Sequence, residues 1–260
     1  MTAHALPGTV PMGPAALSDV AALPLFREGA KLVGTDSHDV TGGNDDGFEA
    51  SYSYLYKDGG EWVLFEEEGP GCLYVLRTIC HKGTLRIYLD GSTTATYAWP
   101  ISNLYRGDMP PFVKPFVGDE ETAHGSSWSY VPIPYAKGCK VTIDEMEKPH
   151  FYNIFAHQFA AGTPVKTFSP ETDLGRAAQW WTNPAKAPAC PVPVKALRGT
   201  LTAEPGKAAT LADVKGAGAI VGLRVRFQDG AHRPAADVTL RGYWEEAPVP
   251  AVDAPLSSFC

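Results

Sequence analysis

Ala50-Ser51-Tyr52-Ser53-Tyr54-Leu55-Tyr56-Lys57 sets three tyrosines on one side of an extended chain and Ser51, Ser53 and Leu55 on the other. This period of two marks a half-buried strand. The signal continues through residues 61–65, 71–80 and 84–89, each closed by Gly or by Asp90-Gly91, a strong hairpin signal. Further strands are expected at 127–132, 139–143, 151–159, 197–201, 219–227 and 237–243. Residues 99–117 carry Pro110, Pro111 and Pro115 and read as a long loop. Residues 164–193 read as a second long loop, Pro-rich and bearing Trp180-Trp181, with a helical turn at 174–179. Ser18 is placed to cap a short N-terminal helix at 20–25, which Pro24 limits to a turn or two. Roughly ten short strands joined by two long aromatic loops give an all-β fold, a jelly-roll β-sandwich.

Composition agrees. Gly (26) and Pro (23) are too frequent for a helical protein, and the 11 Tyr, 11 Phe and 6 Trp favour strands. The 260 residues are enough for a substantial core, and 44% hydrophobic content excludes a wholly disordered chain. With 22 Lys+Arg against 29 Asp+Glu the net charge is −7, and no basic stripe exists to bind nucleic acid. No apolar run approaches the roughly 18 residues of a membrane helix, so neither nucleic acid nor membrane is an expected partner. Residues 1–20 contain no readable signal peptide, which points to the cytoplasm, or to secretion if the N-terminus was trimmed. Cys72, Cys80, Cys139, Cys190 and Cys260 show no zinc spacing and an odd count, so Cys260 is expected to be a terminal thiol and the other four buried apolar residues.

The densest polar cluster runs from Asp36 to Gly47 and contains Asn44, Asp45 and Asp46. Two readings are open. The carboxylates and amide converge on a polyol or a cation, or they cap the backbone of their own turn. Glu66-Glu67-Glu68 reads as a solvated face. His81, His124, His150 and His157 form no ligand pattern, so neither a metal nor another cofactor is expected. Esterase, P-loop and dinucleotide motifs are missing. Trp180-Trp181 is either a sugar-stacking platform or a loop pinned by its own aromatics. Glu245, Glu246 and Asp253 lie close in sequence after a strand end; a glycosidase needs two carboxylates about 5–5.5 Å apart for retention or about 6.5–9.5 Å for inversion, a distance that sequence does not carry.

Several motifs together resemble glycoside hydrolase family 172, long catalogued as a domain of unknown function. They are Thr41-Gly42-Gly43-Asn44-Asp45-Asp46-Gly47, Gly69-Pro70-Gly71-Cys72-Leu73 and Arg86-Ile87-Tyr88-Leu89-Asp90-Gly91. Pro110-Pro111-Phe112-Val113, residues 129–137 (Ser129 to Lys137) and Phe151-Tyr152-Asn153-Ile154 continue the pattern. Leu240-Arg241-Gly242-Tyr243-Trp244 and Val252-Asp253-Ala254-Pro255-Leu256 complete it, so that it covers roughly residues 16–260.

The resemblance implies two jelly rolls in one chain, assembly as a homotrimer or hexamer, and retaining hydrolysis or transfer of α-fructofuranosyl or D-arabinofuranosyl units without a metal. It also implies a polar pocket near subunit contacts that includes a tryptophan. Carried onto this chain, it divides the sequence into a flexible arm (1–15), a jelly roll (16–244), and a linker (245–260) that opens a second jelly roll absent here. Asp253 stands where the family has a nucleophilic Glu, with Glu246 the alternative; Ser257-Ser258-Phe259 replaces a usual Gly-Asp-Phe. The family's second catalytic carboxylate is expected to lie in the absent part, so the mechanism is expected to be incomplete here unless another chain supplies that group.

The expected function is therefore a furanoside-acting glycoside hydrolase. Asp253 or Glu246 is the expected nucleophile, Asn44, Asp45 and Asp46 bind hydroxyls, and Trp181 or Trp180 stacks on the ring of a small sugar or oligosaccharide. The rival readings are a non-catalytic carbohydrate-binding module and an oligomeric structural jelly roll.

Overall fold

The structure is a computed structural model that describes residues 12–18, 27–79, 82–123, 125–183, 194–216, 218–227 and 234–259. The expected arm up to residue 11, the helix at 20–25, Cys80, His81, His124, Cys190 and Cys260 lie outside the described residues. Two compact units are present, Met1–Ala219 and Ile220–Cys260.

In the first unit a 3-10 helix at Gly13–Leu17 precedes β1 (Lys31–Asp36), β2 (Tyr56–Asp58), β3 (Glu61–Glu68), β4 (Gly71–Thr78), β5 (Thr84–Leu89) and β6 (Tyr97–Pro100). Helix α1 (Ile101–Arg106), β7 (Asp108–Met109), β8 (Phe112–Val113), β9 (Val117–Gly118) and α2 (Glu120–Ala123) follow. Then come β10 (Ser127–Ser129), β11 (Ile133–Tyr135), β12 (Gly138–Ile143), β13 (Tyr152–Gln158) and α3 (Gly175–Thr182). One sheet has the order β1-β13-β4-β10-β9, with β11 also paired to β4; the other has the order β2-β3-β12-β5-β6. All pairings are antiparallel.

The chain alternates between sheets. It passes from β1 to β3 to β4, makes the β5–β6 hairpin, then returns through β10 and β11 to β12 and β13. This interleaving of two Greek keys is the jelly roll. Its cause is visible strand by strand. In β5, Leu85, Ile87 and Leu89 are buried while Thr84, Arg86 and Tyr88 face outward. A register slip of one residue would send all three apolar side chains to water. Leu64, Leu73, Leu76, Phe116, Tyr135, Val141 and Ile154 meet these residues in the core, where each fully buried side chain of this size contributes about 1.5–3 kcal/mol. Cys72 and Cys139 are buried free thiols, as expected.

Several local expectations are corrected. Residues 50–57 join the ladder only from Leu55, whose N–H reaches Val63 O at 2.7 Å. Before that, Ala50 turns at φ 60° and buried Ser53 donates to His150 O at 2.6 Å, so side-chain bonding competes with strand pairing. The expected loop at 99–117 contains α1, closed by Gly107 at φ 86°, and the small β7–β8 pair. Trp180 and Trp181 lie on α3 rather than in a loop, because Ala177 and Trp181, four residues apart, share its inward face.

No described residue between 194 and 227 is in a strand or helix, contrary to the strands expected at 197–201 and 219–227. Their apolar alternation is present, but Ile220 and Val221 stay exposed, and no strand among the described residues pairs with them. In the second unit, β14 (Thr239–Gly242) pairs with β15 (Val252–Pro255), flanked by α4 (Pro234–Asp237) and α5 (Leu256–Phe259).

Candidate functional site

Four side chains line up on the outer face of the first sheet. Asp36 on β1 pairs with Asn153 on β13, Asn153 with Arg77 on β4, and Arg77 with Trp128 on β10. Directly opposed residues share a face, and the neighbouring row (Ile154, Leu76, Ser129) is buried on the other. The three strand ends that carry Asp36, Thr78 and Tyr152 lie at one edge of the sheet. There, Asp36, Ser37, His38, Asp46, Arg77, Thr78, Ile79, Phe151, Tyr152 and Asn153 line a pocket of about 340 Å³. That volume lies at the small end of the range for ligand sites.

The loop after β1 roofs this edge and is built by its own side chains. Asp39 accepts Thr41 N–H at 2.9 Å and the Thr41 hydroxyl at 2.6 Å, bonds that hold its carboxyl below the ordinary range. Asp45 accepts Glu49 N–H at 2.8 Å and Asp46 accepts Asp39 N–H at 2.7 Å. Ser37 donates to Asp46 O at 2.9 Å. Gly47, at φ 118°, leaves no room for a side chain against His150 O. His38 Nδ1 bonds Asp36 Oδ1, which raises the imidazole above its usual pKa. The turn-capping reading of this cluster thus describes Asp39, Asp45 and Asp46. Only Asp46 of the three expected sugar ligands lines the pocket, and Asn44 is exposed on the loop.

The aromatic residues lie beside the row. The rings of Trp128 and Tyr130 lie 4.8 Å apart at a tilt of 35°, and Tyr130 lies 6.0 Å from Trp181. Trp181 also packs on buried Phe116 at 5.1 Å and donates its indole N–H to Leu17 O at 3.1 Å. Its place on α3 is fixed by these contacts, and Trp180 is half-buried on the same helix.

Asp253 and Glu246 belong to the second unit. Asp253 opposes Arg241 across the β14–β15 pair and meets its Nε at 3.2 Å. Glu245 and Glu246 turn at φ 53° and 61°, and Ala247 N–H closes the turn on Trp244 O at 2.9 Å. Two successive residues with positive φ define a type I′ geometry that usually calls for Gly or Asn.

The described residues contain no group of three or more His, Cys, Asp or Glu side chains able to hold a metal ion, and no helix among them is long and apolar enough to cross a membrane. Compared with family profiles, residues 28–174 match the GH172 first beta-sandwich domain, which is more than half of the chain. The chain belongs to the GH172 family. Residues 193–260 match the profile described as GH172 domain-like. The comparison with curated proteins returned no match. Membership makes this a glycoside hydrolase-like chain.

Within the GH172 first domain lie Asp36, His38, Arg77, Trp128 and Asn153; Asp36 and His38 belong to the dense polar cluster and Asn153 to one of the family motifs, but none of the five was expected as a site residue. Arg77 did carry a signal, being the one charged residue in the otherwise apolar strand Gly71–Thr78. Asn153 stood in the motif Phe151-Tyr152-Asn153-Ile154, but its alignment with Arg77 and Trp128 depends on strand order, which the sequence does not show. In this GH172 chain Trp180 and Trp181 fall between the two matched regions, while Glu246 and Asp253 fall in the second.

Proposed function

We propose that the chain is a retaining glycoside hydrolase acting on furanosides bearing α-fructofuranosyl or D-arabinofuranosyl units, in a homotrimer or hexamer. The observation that carries this reading is the pocket beside the Asp36–Asn153–Arg77 row in a GH172 first domain. Sugar hydroxyls need planar polar partners that both donate and accept. Arg77 and Asn153 supply donors, and Asn153 and Asp46 supply acceptors.

The bond-breaking step is assigned to Asp253, with Glu246 the alternative. The carboxylate attacks the anomeric carbon and forms a glycosyl ester as a second carboxyl group, supplied by another chain of the oligomer, protonates the departing oxygen. That second group then takes a proton from water, which opens the ester. Asp253→Asn is expected to abolish release of nitrophenol from a nitrophenyl furanoside while circular dichroism stays unchanged. Unaltered turnover in this variant, with loss in Glu246→Gln, moves the nucleophile to 246; unaltered turnover in both removes the assignment.

One observation favours a second reading, a non-catalytic sugar-binding module. Both carboxylates that line the pocket are committed to internal bonds, Asp36 to His38 and Asp46 to Asp39. Sugar binding without hydrolysis by the wild-type chain would establish it.

A further inference from the structure

Gly118 on β9 pairs directly with Trp128 on β10. A Cβ at 118 would meet the indole at 2.6 Å, so the ring of Trp128 lies across the bare backbone of the neighbouring strand. Trp128 is half-buried, so part of its indole stays open on the outer face of the sheet. Tyr130, two residues on and 36% exposed, extends this surface at 35° to the indole. Neither residue belongs to the hydrophobic cluster or to the aromatics packed against it. Trp181 on α3 bounds the surface beyond Tyr130.

Trp128 stands next to Arg77, and Arg77 next to Asn153 and Asp36. Three strand steps of about 4.8 Å separate Asp36 from Trp128, a span of about 14 Å. This is longer than any single sugar ring. The row passes from carboxylate through amide and guanidinium to an aromatic plane. That order suits a chain of neutral rings whose hydroxyl edges bond the polar end and whose C–H faces pack on the indole.

We propose that Trp128 and Tyr130 form a stacking subsite for a second sugar unit, so that the ligand is an oligosaccharide laid across β1, β13, β4 and β10 rather than a single glycoside. The inference rests on the sugar-binding reading of the pocket.

The test is an NMR titration of the full 260-residue chain with two tetrasaccharides, one of D-arabinofuranose and one of D-fructofuranose, and with the corresponding methyl glycosides. The indole N–H signal of Trp128 is assigned by its loss in Trp128→Phe. At least one tetrasaccharide is expected to bind about tenfold more tightly than its methyl glycoside and to move this signal, which the methyl glycoside leaves in place. Tyr130→Ala and Trp128→Ala are expected to lose the tenfold advantage with methyl-glycoside affinity unchanged, and Trp128→Phe to keep most of it. Tyr130→Ala leaves Gly118 covered, so it decides the matter if Trp128→Ala fails to fold. Equal binding of both probe lengths with an unmoved Trp128 signal overturns the subsite and leaves the pocket standing. Binding of no probe overturns both.

Discussion

Asp90 accepts the backbone N–H of Lys137 at 2.7 Å and so fastens the turn after β5 to the turn that leads into β12. The same oxygen takes Ala136 N–H at 2.7 Å, and the other takes the Thr167 hydroxyl. Partial burial works against the charge, but the bonds from Thr167, Lys137 and Ala136 outweigh it and hold the carboxyl below its ordinary pKa. Asp90 also sits at φ 58°, a conformation that Asp and Asn tolerate better than most residues.

Asp90→Ala is therefore expected to destabilise the first unit by about 3 kcal/mol, since bonds to a charged acceptor contribute about 1.5–3 kcal/mol each and are partly replaced by water. Asp90→Asn keeps the turn and one acceptor oxygen and should cost about half as much. Urea unfolding measures both. A midpoint unchanged in Asp90→Ala would mean that the three donors find other partners.

His150 gives an acid-sensitive stability. It is fully buried, and among the described residues neither ring nitrogen has a hydrogen-bond partner. Burial pushes its pKa down to about 4, with the nearby Glu147 carboxylate opposing weakly. The folded value lies below the unfolded value of about 6.5, so the unfolded chain binds the extra proton. Stability from this group is complete above about pH 6.5 and falls as the pH drops towards 4, by on the order of 3 kcal/mol. Thermal unfolding of wild type and His150→Phe between pH 7 and 4 checks the window. Parallel curves for the two proteins would show that His150 is not the sensor.

Arg77 separates binding from folding. Its side chain is exposed at the pocket and meets Ser126 Oγ at 3.4 Å through Nε. Arg77→Met keeps the stem and removes the donors. The affinity for a furanoside should fall about 10- to 100-fold, the loss of one charged hydrogen bond, with a melting temperature within about 2 °C of wild type. A full-strength complex in this variant would remove Arg77 from the site.

The sandwich was legible wherever a strand has one wet face and one dry face. Residues 84–89 alternate in sequence and in burial alike. The strand expected at 219–227 alternates equally well, yet pairs with no strand among the described residues, because periodicity records which face is apolar and not whether a partner is present. Trp180 and Trp181 misled for a related reason: prolines on either side suggested loop, while the inward pair Ala177 and Trp181 made a helix. The pocket was half legible. Asp36 and Asp46 belonged to a visible cluster, but Asp36, Arg77 and Asn153 are far apart in sequence and meet only because β13 lies between β1 and β4.

Nitrophenol release by the purified chain, assayed at high concentration against parallel sets of nitrophenyl furanosides and pyranosides, tests the furanosidase assignment most directly. Release from an α-fructofuranoside or D-arabinofuranoside and from no pyranoside is the expected result. Release from a pyranoside alone, or from no substrate while the chain is folded, would contradict it.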